Sequence, residues 1–358
     1  MPTTRPVLPE LPEGPGPSAP AADGVPQQLV DRYGRTVRDL RLSITDRCNL
    51  RCTYCMPAQG LQWLPTPDLL TTAELTRLGR LAVERLGVER IRLTGGEPLL
   101  RRDLEEVIAS LATLRTTSGG KPDIALTTNG LGLEKRAVAL RKAGLGRVNV
   151  SIDSLDPQDY AAITRRDRLA DVLAGIAAAD AAGLHPVKLN ALQLRGINDD
   201  EAPDLLAFAM DHGYELRFIE QMPLDAGHTW RRDSMVTAAE TMARLGEHFT
   251  LTPLPGRGAA PAERFLVDGG PATVGIIASV TAPFCGACDR LRLTADGQLR
   301  NCLFTTKESD LRTPMREGAG DEELAGIFHR CLLRKLPGHG INNPGFLQPK
   351  RPMNAIGG

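Results

Sequence analysis

The chain has 358 residues, with 43 Lys+Arg against 43 Asp+Glu, 42% hydrophobic residues and 24% charged ones. Zero net charge leaves no long-range field to draw in nucleic acid or an anionic membrane, so any anion must be held by locally arranged basic side chains. No run approaches the ~18–20 apolar residues of a membrane span and no secretory apolar core opens the chain, so the expectation is a cytoplasmic protein with no membrane or nucleic-acid partner. In a reducing compartment its seven cysteines read as metal ligands or reactive thiols before disulfides.

The first 28 residues hold eight of the 27 prolines, a composition that buries too little apolar surface to offset chain entropy, and residues 1–30 are read as a disordered tail. From Val37 short apolar runs alternate with amphipathic helical ones, the pattern of βα units around a parallel sheet. The strands fall at Leu40 to Thr45, Arg90 to Thr94, Asp123 to Thr127, Arg147 to Ile152, Val187 to Leu192 and Glu215 to Glu220. A capping box, Thr71-Thr-Ala-Glu74, opens the first helix, whose Leu75, Leu78, Leu81 and Ala82 share one face.

Six such units predict an α/β fold, a partial (β/α)6 TIM-type barrel over residues 31–230 with its binding residues at the C-terminal ends of the strands. The polar motifs fall there: Thr94-Gly-Gly-Glu-Pro98, Thr127-Thr-Asn-Gly130, Ser151-Ile-Asp153, Lys188-Leu-Asn190 and Glu220-Gln-Met222. A doubly wound sheet is the alternative, disfavoured because no Gly-x-Gly-x-x-Gly follows the first strand. Residues 231–345 read as a smaller α+β extension, with helices near Ala238 to Glu247 and Glu322 to Arg334 and strands near Phe265 and Val274. Residues 346–358 form a tail ending Gly357-Gly358.

Two cysteine triplets carry the chemistry. Cys48-Asn-Leu-Arg-Cys52-Thr-Tyr-Cys55 turns three thiolates of one loop toward a common centre; three ligands on a four-iron cube leave one iron open to an exogenous ligand. Zinc and a Cys52/Cys55 redox pair are the alternatives. Cys285-Gly-Ala-Cys288, followed by Cys302, repeats the arrangement, with zinc again possible if His329 or Cys331 supplies a fourth ligand. Cys331, in an apolar helical run, reads as a buried structural cysteine. Arg290 and Arg292 alternate on one strand and so share a face. With Arg41, Arg92, Lys188 and Arg217 they form a basic lining suited to a polyphosphate.

The C-x3-C-x2-C loop with Tyr54 before its last cysteine, and the Gly95-Gly96-Glu97-Pro98 loop after the next strand, resemble the radical S-adenosylmethionine (SAM) superfamily. The resemblance implies that an open iron chelates SAM, whose reductive cleavage gives a 5′-deoxyadenosyl radical; Glu97 is expected to pair with the SAM ammonium. The second triplet, the Arg-x-Arg between its ligands and the terminal Gly-Gly narrow the resemblance to the GTP 3′,8-cyclase family, lyases of the first step of molybdenum cofactor biosynthesis. It covers about Asp31 to Gly358.

This family resemblance implies two [4Fe-4S] clusters, held by Cys48, Cys52 and Cys55 and by Cys285, Cys288 and Cys302. It further implies SAM contacts from Tyr54, Gly96, Ser151 and Met222. GTP contacts would come from Arg41, Arg92, Thr127, Lys188 and the strand Arg290, Leu291 and Arg292. Arg290, Arg292, Gly357 and Gly358 would serve the radical step. Arg90 stands where relatives often carry lysine. The implied partners are a flavodoxin- or ferredoxin-like electron donor and a downstream cyclic pyranopterin monophosphate synthase, with room for a homodimer. The open rivals are a radical SAM enzyme acting on a peptide or carbohydrate, and a zinc- or cluster-binding protein without catalysis.

Overall fold

The computed structural model describes residues 28–357, so most of the proline-rich tail and Gly358 lie outside the described residues. At the edge of that segment Leu29 is already buried in the main core, and Val30 bridges to Thr36.

Twelve strands form one sheet: β1 Asp39–Ser43, β2 Arg90–Thr94, β3 Asp123–Thr128, β4 Arg147–Ser151, β5 Lys188–Leu192, β6 Glu215–Ile219, β7 Leu251–Leu254, β8 Glu263–Val267, β9 Thr273–Ile277, β10 Arg290–Leu293, β11 Gln298–Arg300 and β12 Ser309–Asp310. Their order is β12-β11-β10-β1-β2-β3-β4-β5-β6-β9-β8-β7. β1 to β6 lie side by side in chain order and all pair in parallel, which is barrel topology and not the reversed order of a doubly wound sheet.

The helices are α1 Thr72–Arg80, α2 Leu104–Ala112, α3 Leu133–Ala143, α4 Pro157–Thr164, α5 Leu169–Ala181, α6 Ala202–Asp211, α7 Ala238–Gly246, α8 Arg312–Arg316, α9 Asp321–Leu333 and α10 Met353–Ile356. α1 opens on the expected capping box: Thr71 accepts from the Glu74 N–H while Glu74 accepts from the Thr71 N–H. Leu75, Leu78, Leu81 and Ala82 are buried as their spacing predicts.

The strands after residue 230 extend the barrel sheet instead of forming one of their own. β10 pairs in parallel with β1, and β9 in parallel with β6. The physical reason is that a six-stranded open barrel leaves β1 and β6 with rows of unpaired N–H and C=O groups, and the C-terminal segment covers both edges.

Strand alternation then makes the site. Leu40, Leu42, Ile91, Leu93, Leu126, Val148, Leu189, Leu216, Leu291 and Leu293 belong to the main apolar core with the helices. The residues between them, Arg41, Arg92, Thr127, Asn149, Lys188, Arg217 and Arg292, take the opposite, interior face. A barrel whose outer face supplies the core is free to line its interior with charge.

Candidate active site between two cysteine loops

The first triplet follows β1 in a loop fixed by guanidiniums. Arg51 Nη1 donates to the carbonyls of Cys48 and Leu50 (2.8 Å each), and Arg165, in the left-handed region at φ 55°, donates to those of Arg51 (2.8 Å) and Met56 (3.0 Å). The Tyr54 hydroxyl donates to Asp153 Oδ2 (2.8 Å), and the Leu192 N–H to Asp153 Oδ1 (2.9 Å). Burial pushes the Asp153 carboxyl up to about 6, opposed by those two hydrogen bonds.

Gly95 and Gly96 pack directly on this loop. A Cβ on Gly96 would stand 2.3 Å from the Arg47 carbonyl oxygen and 2.5 Å from that of Asp46, and one on Gly95 2.2 Å from that of Thr45. The glycines thus admit the backbone of the cysteine loop, a requirement the motif alone did not show.

Glu97 has a structural task that the motif alone did not show. It is fully buried, and its carboxylate accepts from the Leu99 N–H (2.9 Å), Thr128 Oγ1 (2.7 Å) and the Asn129 N–H (2.7 Å). Those bonds tie the Gly-Gly-Glu-Pro loop to the end of β3, so the carboxylate braces that loop against the next strand. Burial pushes it up to about 7.

The second triplet lies across the barrel mouth. Cys285, Cys288 and Cys302 line a cleft of about 540 Å³ with Arg290, Arg292 and Met222. Glu220, just past β6, holds the segment leading to it by accepting from the N–H groups of Val280 (2.8 Å), Thr281 (2.9 Å) and, at the start of α7, Ala238 (2.8 Å). Cys331 is buried on α9 and donates to the Leu299 carbonyl (3.7 Å), as a structural cysteine. His339 reaches the cleft with both ring nitrogens engaged, Nδ1 accepting from the Ile341 N–H (3.2 Å) and Nε2 facing the Ser279 carbonyl (3.1 Å).

The donor set suits iron–sulfur clusters. Backbone N–H groups point at the sulfurs: those of Leu50 and Asn49 at Cys48, of Asn354 at Cys55, of His339 at Cys285 and of Arg290 at Cys288. Such contacts stabilise thiolate bound to iron. Among the described residues no three of His, Cys, Asp and Glu converge as a single ion requires. Neither Cys331 nor His329 lines the cleft with the second triplet.

Between the triplets runs the basic row. Register sets Arg292 beside Arg41 and Arg41 beside Arg92 on three adjacent strands. Arg217 donates to Asn149 Oδ1 (3.0 Å), and Asn149 Nδ2 to Thr127 Oγ1 (3.2 Å). Asp39 is ion-paired with Arg92 at 3.1 Å; burial pushes its carboxyl up, and Arg92, Arg41 and Arg290 outweigh burial and hold it below the usual carboxylate range. Burial, with repulsion from neighbouring guanidiniums, lowers Arg41 and Arg217 to about 10 each and holds Arg292 well below the usual guanidinium range. The Nε atoms of Arg41 and Arg217 are buried without a hydrogen-bond partner.

Other predicted residues are held by protein groups. Lys188 is ion-paired with Glu215 on β6, and Arg90 with Asp289 and, at 3.7 Å, Asp39. Ser151 and Thr127 cap no helix, since α4 is capped by Asp156 and α3 follows Gly132. Met222 lies at the edge of a small apolar cluster with Leu224, Phe304 and Ile356. Leu291 is buried in the main core, while Arg290 and Arg292 on the same strand line the cleft with the second triplet.

The C-terminal segment enters the same space. Asn354 Nδ2 donates to the Asp46 carbonyl (3.0 Å), and Arg292 Nη1 donates to the Gly357 carbonyl. Sequence reasoning placed Asp153 and Glu220 in strand-end motifs without assigning them a role, and it missed Lys335 and Arg35, whose Nη1 donates to the Cys285 carbonyl (2.7 Å).

An open parallel barrel with a three-cysteine loop after its first strand and a Gly-Gly-Glu-Pro loop after its second is the arrangement of a radical SAM enzyme. The model of the Radical SAM superfamily matches residues 42–209, and that of Molybdenum Cofactor Synthesis C matches residues 214–341. The GTP 3′,8-cyclase of Streptomyces coelicolor is 58% identical over 92% of this chain and 96% of its own length. That of Corynebacterium glutamicum is 57% identical over 95% and 91%. Among solved structures, Streptococcus suis SuiB bound to S-adenosylmethionine shares the fold, with a TM-score of 0.58 and 14% identity over 89% of this chain and 77% of that one. The chain belongs to the GTP 3′,8-cyclase family of radical SAM enzymes.

Among the described residues no helix is long and apolar enough to cross a membrane.

Proposed function

We propose that this chain converts GTP to (8S)-3′,8-cyclo-7,8-dihydroguanosine 5′-triphosphate, holding SAM at the first cysteine loop and GTP between the two loops. The observation that carries this reading is the basic row. Arg92, Arg41 and Arg290 act on one carboxylate, Asp39, and Arg217 and Arg292 lie close enough to members of that group to be repelled by their charge. Five guanidiniums answered by fewer carboxylates, Asp39, Asp289 and Glu215, leave positive charge for a polyanionic ligand to neutralise.

Cys48, Cys52 and Cys55 would hold one [4Fe-4S] cluster, and Cys285, Cys288 and Cys302 the other. When bound, the first cluster and SAM supply the 5′-deoxyadenosyl radical that takes hydrogen from ribose C3′. Tyr54, fixed by Asp153, would line the SAM pocket with Gly96, Ser151 and Met222. Arg41, Arg92 and Thr127 would receive the triphosphate, and Lys188 would join them by exchanging its Glu215 partner. Arg290 and Arg292 lie beside the second triplet, where they orient the nucleotide. The tail bearing Gly357 would close the site from the other side and exclude water, and Gly357 and Gly358 would serve the radical step.

The pairing of Arg90 with Asp289 supports a bracing role for it, away from the phosphates. A flavodoxin- or ferredoxin-like donor would supply the electron and a cyclic pyranopterin monophosphate synthase would consume the product. Cytoplasmic residence suits both partners, and a homodimer is compatible with the reading.

GTP deuterated at C3′ tests the assignment. Deuterium must appear in 5′-deoxyadenosine; its absence, with deuterium retained in GTP, contradicts the proposed hydrogen abstraction.

A further inference from the structure

Lys335, just beyond α9, is 3% exposed and makes no salt bridge to a carboxylate among the described residues. Its ammonium donates to the carbonyls of Cys288 (3.1 Å) and Arg290 (2.7 Å). Carbonyls alternate along a strand, and that of Asp289 points the other way, accepting from the Asp39 N–H (3.2 Å) of β1. The antiparallel partner β11 pairs only from Arg292 onward, with Arg300. Cys288 and Arg290 therefore face an edge with no strand, and the lysine takes the place of the missing donors.

A neutral donor would satisfy two carbonyls, and burying an ammonium is expensive unless charge answers it. The anion nearest to hand is the thiolate of Cys288, the residue whose own carbonyl the ammonium holds at 3.1 Å. We infer that Lys335 is a positioning and charge-balancing residue for the second cluster: it fixes Cys288 and Arg290 in register and offsets the cluster's negative charge. The inference rests on the reading that Cys285, Cys288 and Cys302 hold an iron–sulfur cluster. Three thiolates make such a cluster anionic, and one-electron reduction makes it more so, so a fixed buried cation favours the reduced form and raises the midpoint potential.

The test uses the full chain with Cys48, Cys52 and Cys55 changed to Ala, so that only the second cluster is loaded, with iron and sulfide counted and the midpoint measured by EPR-monitored titration with dithionite. Lys335→Met and Lys335→Gln, which both remove the charge, are expected to lower the midpoint by about 59 mV, tenfold in the one-electron reduction constant. Lys335→Arg, which keeps the charge, is expected to stay at the parent value. A midpoint unchanged in Lys335→Gln, or shifted as far in Lys335→Arg, overturns the inference. Lys335→Gln keeps a donor for the carbonyls, so the Gln/Arg pair decides the matter even if Lys335→Met fails to load. Absence of iron and sulfide from the parent would instead overturn the cluster reading itself.

Discussion

The guanidinium of Arg292 on β10 donates to the carbonyl of Gly357, 65 residues later and next to the end of the chain. This bond joins the strand carrying the second cysteine loop to a tail that also touches the first, since the Asn354 N–H faces the Cys55 sulfur. The tail thus spans the space between the two triplets.

Gly357 leaves no room for a side chain. Its φ is +84°, and a Cβ would stand 2.8 Å from Thr94 Cγ2 and 3.2 Å from Ser43 Cβ. Gly357→Ala is expected to reduce product formation by at least tenfold while iron content and unfolding temperature stay at wild-type values. Activity assays alongside iron analysis and calorimetry check this.

The basic row trades stability for binding. Arg217→Met removes a buried cation repelled by its neighbours, so nucleotide-free protein is expected to unfold at the same or a higher temperature. Its KM for GTP should rise at least tenfold, because a charge-assisted contact is worth ~1.5–3 kcal/mol. A lowered melting temperature with unchanged KM would assign Arg217 a structural role.

Gly96→Ala probes the contact between the two motif loops. With carbonyl oxygens of the cysteine loop at 2.3 and 2.5 Å from the added methyl, the backbone must move. Overpacking of this kind costs ~1–3 kcal/mol. The expected result is loss of the first cluster's iron with retention of the second's.

Glu97 sets a pH dependence. Its pKa rises from 4.5 to about 7 on folding, mainly through burial. The folded protein therefore binds more protons than the unfolded chain in that window, so this group's contribution is full below about pH 4.5 and is lost as pH rises through about 7. Relative to Glu97→Gln, wild type should lose on the order of 3 kcal/mol across the window. Denaturant melts at pH 4.5 and pH 7.5 check the sign, and a constant difference would contradict it.

Much of the fold was legible because strand periodicity and capping are local. The six barrel strands follow from runs such as Leu40 to Thr45, and α1 from the Thr71/Glu74 box. The pairing of β9 and β10 with the barrel edges was not legible, because Val274 and Arg290 carry no mark of their partners. The same division holds at the site. Cys48, Cys52 and Cys55 announce themselves by spacing, and Arg290 and Arg292 by alternation. The bracing role of Glu97 was not legible because its partners Thr128 and Asn129 come from the end of the next strand, and Lys335 was missed because it acts on Cys288 and Arg290 from 45 to 47 residues away.

The measurement that tests the account most directly is an anaerobic iron and sulfide count on wild type and on Cys285→Ala/Cys288→Ala/Cys302→Ala, with SAM cleavage assayed with and without GTP. The account predicts loss of one four-iron cluster in the variant, and product formation coupled to SAM cleavage only in wild type. Zinc at the second site, or SAM cleavage by wild type that yields no cyclised nucleotide from GTP, would contradict it.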